Sequence, residues 1–572
     1  MTVQNAEIAD LFEQLADLLE LEGANPFRVR AYRNAARFVR GHPRSLAELL
    51  DEGADLAELP GIGEDLAGKI RTLVCTGRLP LLDQVSARVP APLLAMTRIE
   101  GLGPKRAKAL YKALRIRGLE DLARAARSGR IRELPGFGAR TEQLIAERAE
   151  RAATGERRLR LADAEQIARP LVAYLRGLDG VQRVEVAGSF RRRRDTVGDL
   201  DVLVGAARAA TVMDRVVRYE DVAEVQAQGT TRATLRLRNG LQVDVRVVPA
   251  ASFGAALHYF TGSKAHNIAV RRMAMARGLK LNEYGLFRGE RRVGGRTEDE
   301  VFAAVGLPVV PPELREDRGE IAAARRGRLP RLVRVEDIRG DLHCHSRATD
   351  GRDTIEAMAR AAAARGYEYL SINDHSRHVT VAHGLDRRRL LEQVRAIDRL
   401  NAKLHGIVVL KSVEVDILDD GRLDLPDSAL KQLDFTVCAV HYGFGYSRAR
   451  QTARILRAMD NPHFGILAHP TGRLINAREP YAIDLERVLE GARERGRVVE
   501  LNAQPDRLDL DDRACRLAKE IGVKVAIATD AHRAADLGLM RFGVDQARRG
   551  WLEPADVVNT RPLAAVLRLL RT

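Results

Sequence analysis

Two groups of residues in this sequence have the types and spacing for phosphate chemistry. In "GDLDVLV" (198–204), Asp199 and Asp201 are two apart in an apolar run, so one face of a strand carries both carboxylates. Asp244, in "LQVDVRVV" (241–248), can stand beside them on a neighbouring strand. Three carboxylates packed together repel unless cations neutralise them. Two Mg or Mn ions would do so, and would also activate a hydroxyl and hold a triphosphate. Upstream, "AGSFRRRR" places Gly188 and Ser189 at a strand-to-helix turn, where backbone N–H, a hydroxyl and Arg192 can cradle phosphates.

The second group begins in "GDLHCHSRATDG" (340–351), with His343, His345 and Asp350. Thirteen histidines in 572 residues will sometimes fall close together, so that stretch alone decides nothing. The later apolar runs decide more: "GDLHCH", "LSINDH", "LKSVEVD", "CAVHYG", "ILAHP", "VVELN" and "AIATDAH". Six of these seven carry, at or near their ends, a His, Asp or Glu of metal-binding type. Amphipathic helices such as "TIEAMARAAAARG" and "RARQTARILRAM" alternate with them, and this is βα repetition with seven strands. The C-terminal ends of such strands converge on one face, where distant residues become neighbours. Cys344 is expected to point the other way, into the core, and Asp374 to support His375 or its loop. His383, His405 and His463 fit no such pattern.

The remaining chain must position these groups. Residues 1–150 repeat an apolar residue, GxG and a helix-like run in "LPGIGEDLAGKI", "IEGLGPKRAKAL" and "LPGFGARTEQLI". Three copies in a helical setting predict helix-hairpin-helix motifs. Gly61, Gly63, Gly101, Gly103, Gly136 and Gly138 would let backbone N–H groups approach DNA phosphates without reading sequence. From about 160 the pattern alternates like strands, and a Pro/Arg-rich stretch over 307–333 ends that module. The charge agrees. Residues 1–330 hold 55 basic against 43 acidic residues, and 331–572 hold 39 against 35, which suggests a polyanion partner for the first part, although Arg placed on solvated faces would give the same balance.

The GS…GDxD pattern resembles the nucleotidyltransferase superfamily, and "YFTGSKAHN" with "RGLKLNEYGLF" narrows the resemblance to family X DNA polymerases over roughly 1–318. The resemblance implies that Tyr259, Phe260 and Gly262 border the sugar of an incoming nucleotide. It also implies that Asn267 and Arg271 lie against the nascent base pair, and that Arg246 pairs with a catalytic carboxylate. Lys69 falls where relatives place a Schiff-base lysine that removes 5′-deoxyribose phosphate. Asp65, however, stands where a basic phosphate ligand is usual, so a phosphate contact or a solvated side chain stays open for Lys69. The C-terminal pattern resembles the PHP (polymerase and histidinol phosphatase) domain, a distorted (β/α)7 barrel with three metal ions, Mn or Zn. The implied ligands are His343, His345, Glu414 and Asp530 for one metal, and Glu414, His441 and His469 for a second. Asp350, His375 and His532 would hold the third.

The domains then expected are helix-hairpin-helix DNA-binding (1–85), helical fingers-like (86–155), palm (156–250), thumb (251–318), linker (319–337) and PHP phosphoesterase (338–572). The expected activity is gap-filling DNA synthesis from deoxynucleoside triphosphates on gapped or nicked DNA, with 3′-5′ exonuclease and abasic-site cleavage as a further option. Two other readings remain: a nucleotidyltransferase and phosphatase for a non-DNA substrate, and a DNA-binding scaffold whose metals are structural. The four cysteines form no CxxC pair, which suits a reducing cytoplasm and a monomer without disulfides. No apolar window reaches membrane-spanning length, and "MTVQNAEIADLFEQLADLL" lacks the basic start of a signal peptide.

Overall fold

A computed structural model describes residues 5–40, 46–59, 61–76, 78–97, 99, 102–153 and 158–570. It divides into two compact units, one of residues 1–191 with 196–309, the other of 192–195 with 310–572. No helix among the described residues is long and apolar enough to cross a membrane.

The first unit opens with helices only, from Asn5–Glu22 to Ala139–Ala153. Their apolar faces share one core that includes Phe12, Leu15, Ile70, Leu110 and Ile145. The helix after each GxG begins at Glu64, Pro104 and Ala139. Gly61 and Gly136 have φ of 78° and 84°, the left-handed region that glycine enters without a Cβ clash. A five-stranded sheet follows, in the order Val181–Val186, Asp199–Ala206, Gln242–Val248, Arg232–Leu237, Val222–Gln228. The second and third of these run parallel, and the other neighbours antiparallel. Helix Phe253–Thr261 packs so closely on the sheet that a Cβ at Gly205 would sit 3.0 Å from the Phe253 ring. Helix Lys264–Met275 and a three-stranded meander, Lys280–Asn282, Gly285–Arg288 and Arg291–Gly294, complete the unit.

In the second unit every strand is parallel to its neighbour, in two sheets. One is Gly340–Asp341, Tyr369–Ile372, Val408–Lys411; the other is Glu414–Asp416, Val437–Ala439, Ile466–Leu467, Val498–Asn502, Val525–Ala528. Most are buried along their whole length, as strands covered on both faces must be. The run "LKSVEVD" is therefore two strands, broken at Ser412–Val413. Isolated bridges join the sheets at both edges, His375 to Glu414 and Cys344 to Ala531. Side chains reinforce the second junction: Thr529 donates N–H and hydroxyl to Asp341, and Asn559 Nδ2 donates to the carbonyls of Gly340 and Ile527. The helices between strands start cleanly. Thr354, Asp386, Ser447, Asp484 and Asp511 each accept the N–H three residues on. Such caps stabilise a helix by about 1 kcal/mol each.

The stretch expected to be a linker, 319–337, is built into this unit. It contains the helix Glu320–Arg325, and Val333 is buried in the core that also holds Cys344, Val415 and Leu501. Arg548 fixes the segment by donating to Glu313 and to the Val333 carbonyl.

Candidate active sites

The parallel pairing of Asp199–Ala206 with Gln242–Val248 puts Asp201 directly opposite Asp244, and Asp199 opposite Gln242. The three aspartates therefore share one sheet face, with Asp199 exposed, Asp201 half-buried and Asp244 buried. Asp244 accepts hydrogen bonds from Thr234 Oγ1 (2.6 Å), Gln242 Nε2 (2.8 Å) and Arg232 (3.3 Å). Burial raises its carboxyl pKa, but these donors outweigh it and hold the group below its ordinary value. Gly188, at φ 60°, lies where a Cβ would come within 2.5 Å of the Asp201 carboxylate. Only glycine lets the turn bearing Ser189 approach that oxygen.

Two arginines depart from expectation. Among the described residues Arg246 engages no carboxylate and its buried Nε has no partner; its guanidinium lies over the Phe260 ring, 4.4 Å from the centroid. Strand pairing aligns Arg232 with Arg246, and Arg232 takes the carboxylate instead. Arg192 is counted with the second unit and pairs there with Glu316 at 3.0 Å. Of the other expected nucleotide contacts, Tyr259 and Arg271 are exposed, while Gly262 and Asn267 are buried. Asn267 Nδ2 donates to the Tyr259 carbonyl at 2.7 Å, which ties the two helices of "YFTGSKAHN" together.

The histidine cluster gathers at the C-terminal strand ends of the second unit. Glu414 is its centre. Its carboxylate lies 2.8 Å from His375 Nδ1, 2.9 Å from His469 Nε2, 3.2 Å from His441 Nε2, 3.6 Å from His343 Nε2 and 3.7 Å from His345 Nε2. Asp530 stands 3.0 Å from His345, and Asp350 lies 3.3 Å from His375 and 3.4 Å from His532. Ligand atoms converge in three sets: His345, Asp350, His375 and His532; His343, His345 and Asp530; His375, Glu414 and His441. His345 and His375 are each shared by two sets, a finer grouping than the sequence implied. The donor set fits divalent cations. It is all imidazole nitrogen and carboxylate oxygen, and among the described residues the buried Nδ1 atoms of His345 and His469 have no hydrogen bond.

The electrostatics point the same way. Burial disfavours charge on His343 and His375, yet the surrounding carboxylates outweigh it and hold both imidazoles well above the ordinary value. His441 and His532 are raised to about 9 by the same balance, through Glu414 with Asp416 and through Asp350 with Asp530. Burial and the neighbouring His532 and His375 lower His345 instead. Glu414 and Asp530 are held well below the carboxylate range, because the histidines outweigh their burial. Protons here stand where cations would.

A supporting layer was not assigned from sequence. Glu500 accepts from His343 Nδ1 (2.6 Å) and from the His469 N–H (2.6 Å), and Asp416 sits 2.8 Å from His441 Nδ1. Each turns Nε2 of its histidine toward the cluster. Both were readable in principle: Glu500 lies in the strand "VVELN", and Asp416 is two residues past Glu414, on the same strand face. Asp374 does not contact His375; it accepts from Ser346 and Thr349 and so fixes the loop leading to Asp350. Cys344 is buried in the core.

In the helical region, an added Cβ at Gly61, Gly63, Gly103, Gly136 or Gly138 would meet nothing within 4 Å, so the backbone at these turns is open to a ligand. Gly101 lies outside the described residues. Lys69 is ion-paired with Asp65 and lies over the Tyr32 ring at 5.9 Å.

Three family models match parts of the chain: a helix-hairpin-helix domain over residues 3–79, a SAM-like helix-hairpin-helix tandem over 93–151 and a DNA polymerase beta thumb over 256–316. The chain is 37% identical over 570 residues to the DNA polymerase/3′-5′ exonuclease PolX of Bacillus subtilis, covering 99% of each protein. It is 30% identical over 232 residues to a probable phosphatase of Thermoanaerobacter, covering 38% of this chain and 89% of that protein. To DNA polymerase lambda of Rattus norvegicus it is 27% identical over 345 residues, covering 55% of this chain and 57% of that protein.

Proposed function

Because the chain belongs to the PolX family of DNA polymerase/3′-5′ exonucleases, we propose that its two clusters divide the two activities between them. The protein is a DNA polymerase with 3′-5′ exonuclease activity, and it acts on DNA with deoxynucleoside triphosphates. The palm carboxylates would carry synthesis and the histidine cluster hydrolysis. One observation carries this division: the two ligand sets have no residue in common and belong to separate compact units. The phosphatase relative, which aligns over little more than a third of the chain, supports it.

Divalent cations bound at either site would activate the attacking oxygen and offset the charge that builds on phosphorus. On the synthetic side, Asp199, Asp201 and Asp244 would hold two Mg or Mn ions, and Arg232, Thr234 and Gln242 keep Asp244 ionised and in place. Gly188 and Ser189 would present N–H and hydroxyl to the triphosphate. Tyr259, Phe260 and Gly262 would border the sugar, with Asn267 and Arg271 against the base pair. Arg246 would act by packing on Phe260. On the hydrolytic side, the nine residues from His343 to His532 would hold Mn or Zn, while Glu500 and Asp416 orient the imidazoles. The open glycine turns would grip the backbone at a gap, which makes short-gap filling in repair the natural task. The Lys69–Asp65 pair favours phosphate or backbone contact over a lyase role, since an ammonium tied to a carboxylate is a poor nucleophile.

The test is direct. Given deoxynucleoside triphosphates and gapped duplex, the protein should lengthen the primer to the end of the gap. Without them it should shorten an unpaired 3′ end. Turnover of small phosphomonoesters with neither DNA reaction would overturn the reading.

A further inference from the structure

The loop after strand Val498–Asn502 carries a guanidinium that none of these contacts accounts for. Gln504 Nε2 donates to the carbonyls of Thr529 and Asp530, at 2.8 Å each, and pins the loop beside the cluster. The N–H groups of Arg507 and Leu508 donate to Gln504 O, and Arg473 donates to the carbonyls of Arg507 and Leu508 at 2.8 and 2.6 Å. The backbone at 507 is thus held from both sides. Its side chain is half-buried, yet it makes no hydrogen bond or ion pair among the described residues. The carboxylates acting on it are Asp506, Asp530, Asp509 and Glu414, and together they outweigh its burial. Two of these are the ligand candidates at the cluster's centre.

A second guanidinium sits on the neighbouring loop, whose Ile475 N–H donates to the Asp506 carbonyl at 2.6 Å. Arg478 donates from Nε to the Gly472 carbonyl at 2.8 Å and lies over the Phe444 ring at 4.4 Å. Burial, and next the like charge of Arg507, pull it below its ordinary value. Two desolvated guanidiniums that repel each other cost free energy unless an anion lies between them. Cations bound by Glu414 and Asp530 would remove the acids' attraction and sharpen that need.

We propose that Arg507, with Arg478 beside it, contacts the phosphate backbone at the 3′ end of the DNA strand in the hydrolytic site. The fork of a guanidinium matches two phosphate oxygens, which an ammonium cannot do. This rests on the reading of the cluster as the phosphodiester-cleaving site.

The experiment uses the full chain, loaded with Mn, and a single-stranded oligonucleotide. Arg507→Ala should lower kcat/KM for 3′ degradation roughly 100-fold, the scale of losing one preorganised charge donor. Arg507→Lys should recover little of it. Added guanidinium ion should restore part of the Arg507→Ala rate without raising that of the unaltered protein. Bound metal and primer extension on gapped DNA should stay unchanged in both variants. A near wild-type rate for Arg507→Ala, a loss that guanidinium does not relieve, or a loss matched by lost metal would each overturn the proposal. Failure of the underlying reading is distinguishable. In that case His343→Ala with His345→Ala would keep full exonuclease activity whatever the Arg507 variants do.

Discussion

The palm carboxylates and the histidine cluster are both candidate sites for divalent cations, yet they are built to opposite specifications. The palm has three acids on one open sheet face, with Asp244 buried and held by Thr234, Gln242 and Arg232. The cluster has nine residues from six strand ends, mostly buried around Glu414, with a second layer behind the imidazoles. A site with few protein ligands leaves positions for the substrate's own oxygens, as cations delivered with a triphosphate require. A site dense in imidazole holds its ions between turnovers. On the proposed reading, one chain would carry its metal chemistry with a borrowed set and a resident set.

The largest effects should separate the two. Asp199→Ala with Asp201→Ala should abolish nucleotide addition and leave 3′ degradation intact. His343→Ala with His345→Ala should lower degradation by orders of magnitude and reduce bound metal, while gap filling persists. Primer extension, exonuclease assays and metal analysis on the same preparations check both. Loss of both activities in either double variant, with the protein folded, would break the division.

Next in size is the supporting layer behind the histidine cluster. Glu500 accepts from three donors, His343 Nδ1, His469 N–H and Asn502 Nδ2. In Glu500→Gln one oxygen becomes an NH2 group that must face a donor. Metal affinity should fall roughly 10- to 100-fold, measured by competition with a chelator. Unchanged affinity would reduce Glu500 to a packing residue.

Much of this was legible in the chain because it rests on local rules. The period-2 spacing of Asp199 and Asp201, the GxG turns and the metal-type residues at strand ends each follow from backbone geometry alone. What escaped depends on register between distant strands. Whether Arg232 or Arg246 meets Asp244 is set by a pairing that brings residues on different strands side by side. Arg192 was misread for a related reason: Glu316, its partner, lies 124 positions away in a stretch that reads as the end of a module. The stretch 319–337 looked like a tether because it overlaps the Pro/Arg-rich run 307–333, while the burial of Val333 is a tertiary fact.

A smaller effect should appear in stability against pH. In metal-free protein, His441 and His532 have values of about 9 against an ordinary 6.5. Raised histidine values contribute stability that is full below about 6.5 and lost as pH climbs through about 9. Chelated protein should therefore melt at lower temperature as pH rises across that window. With metal bound, the same nitrogens are ligands rather than proton carriers, so the loss should vanish and the Tm gap between the two forms should widen. The palm should not contribute, since the lowered value of Asp244 moves stability only on acidification. A gap that stays constant from pH 6.5 to 9, followed by calorimetry, would place the metal's contribution elsewhere.

The smallest effect concerns how DNA reaches the two sites, and the hairpin glycines give a matched pair to measure it. Gly61 has φ 78°, so Gly61→Ala adds backbone strain of about 1 kcal/mol besides a methyl group. Gly63 has no such φ, and the space beside it is open. Gly63→Ala should therefore leave Tm unchanged and put only a methyl where a phosphate would approach. Affinity for gapped duplex should fall by a few-fold, with little dependence on sequence and a steep dependence on salt. Gap filling at limiting DNA should fall with it. Degradation of a short single strand should hardly change, because that substrate offers no gap backbone to grip. If Gly63→Ala weakened both reactions alike, the helical region would serve the two sites equally, and the contrast between borrowed and resident metals would not extend to how each site obtains its DNA.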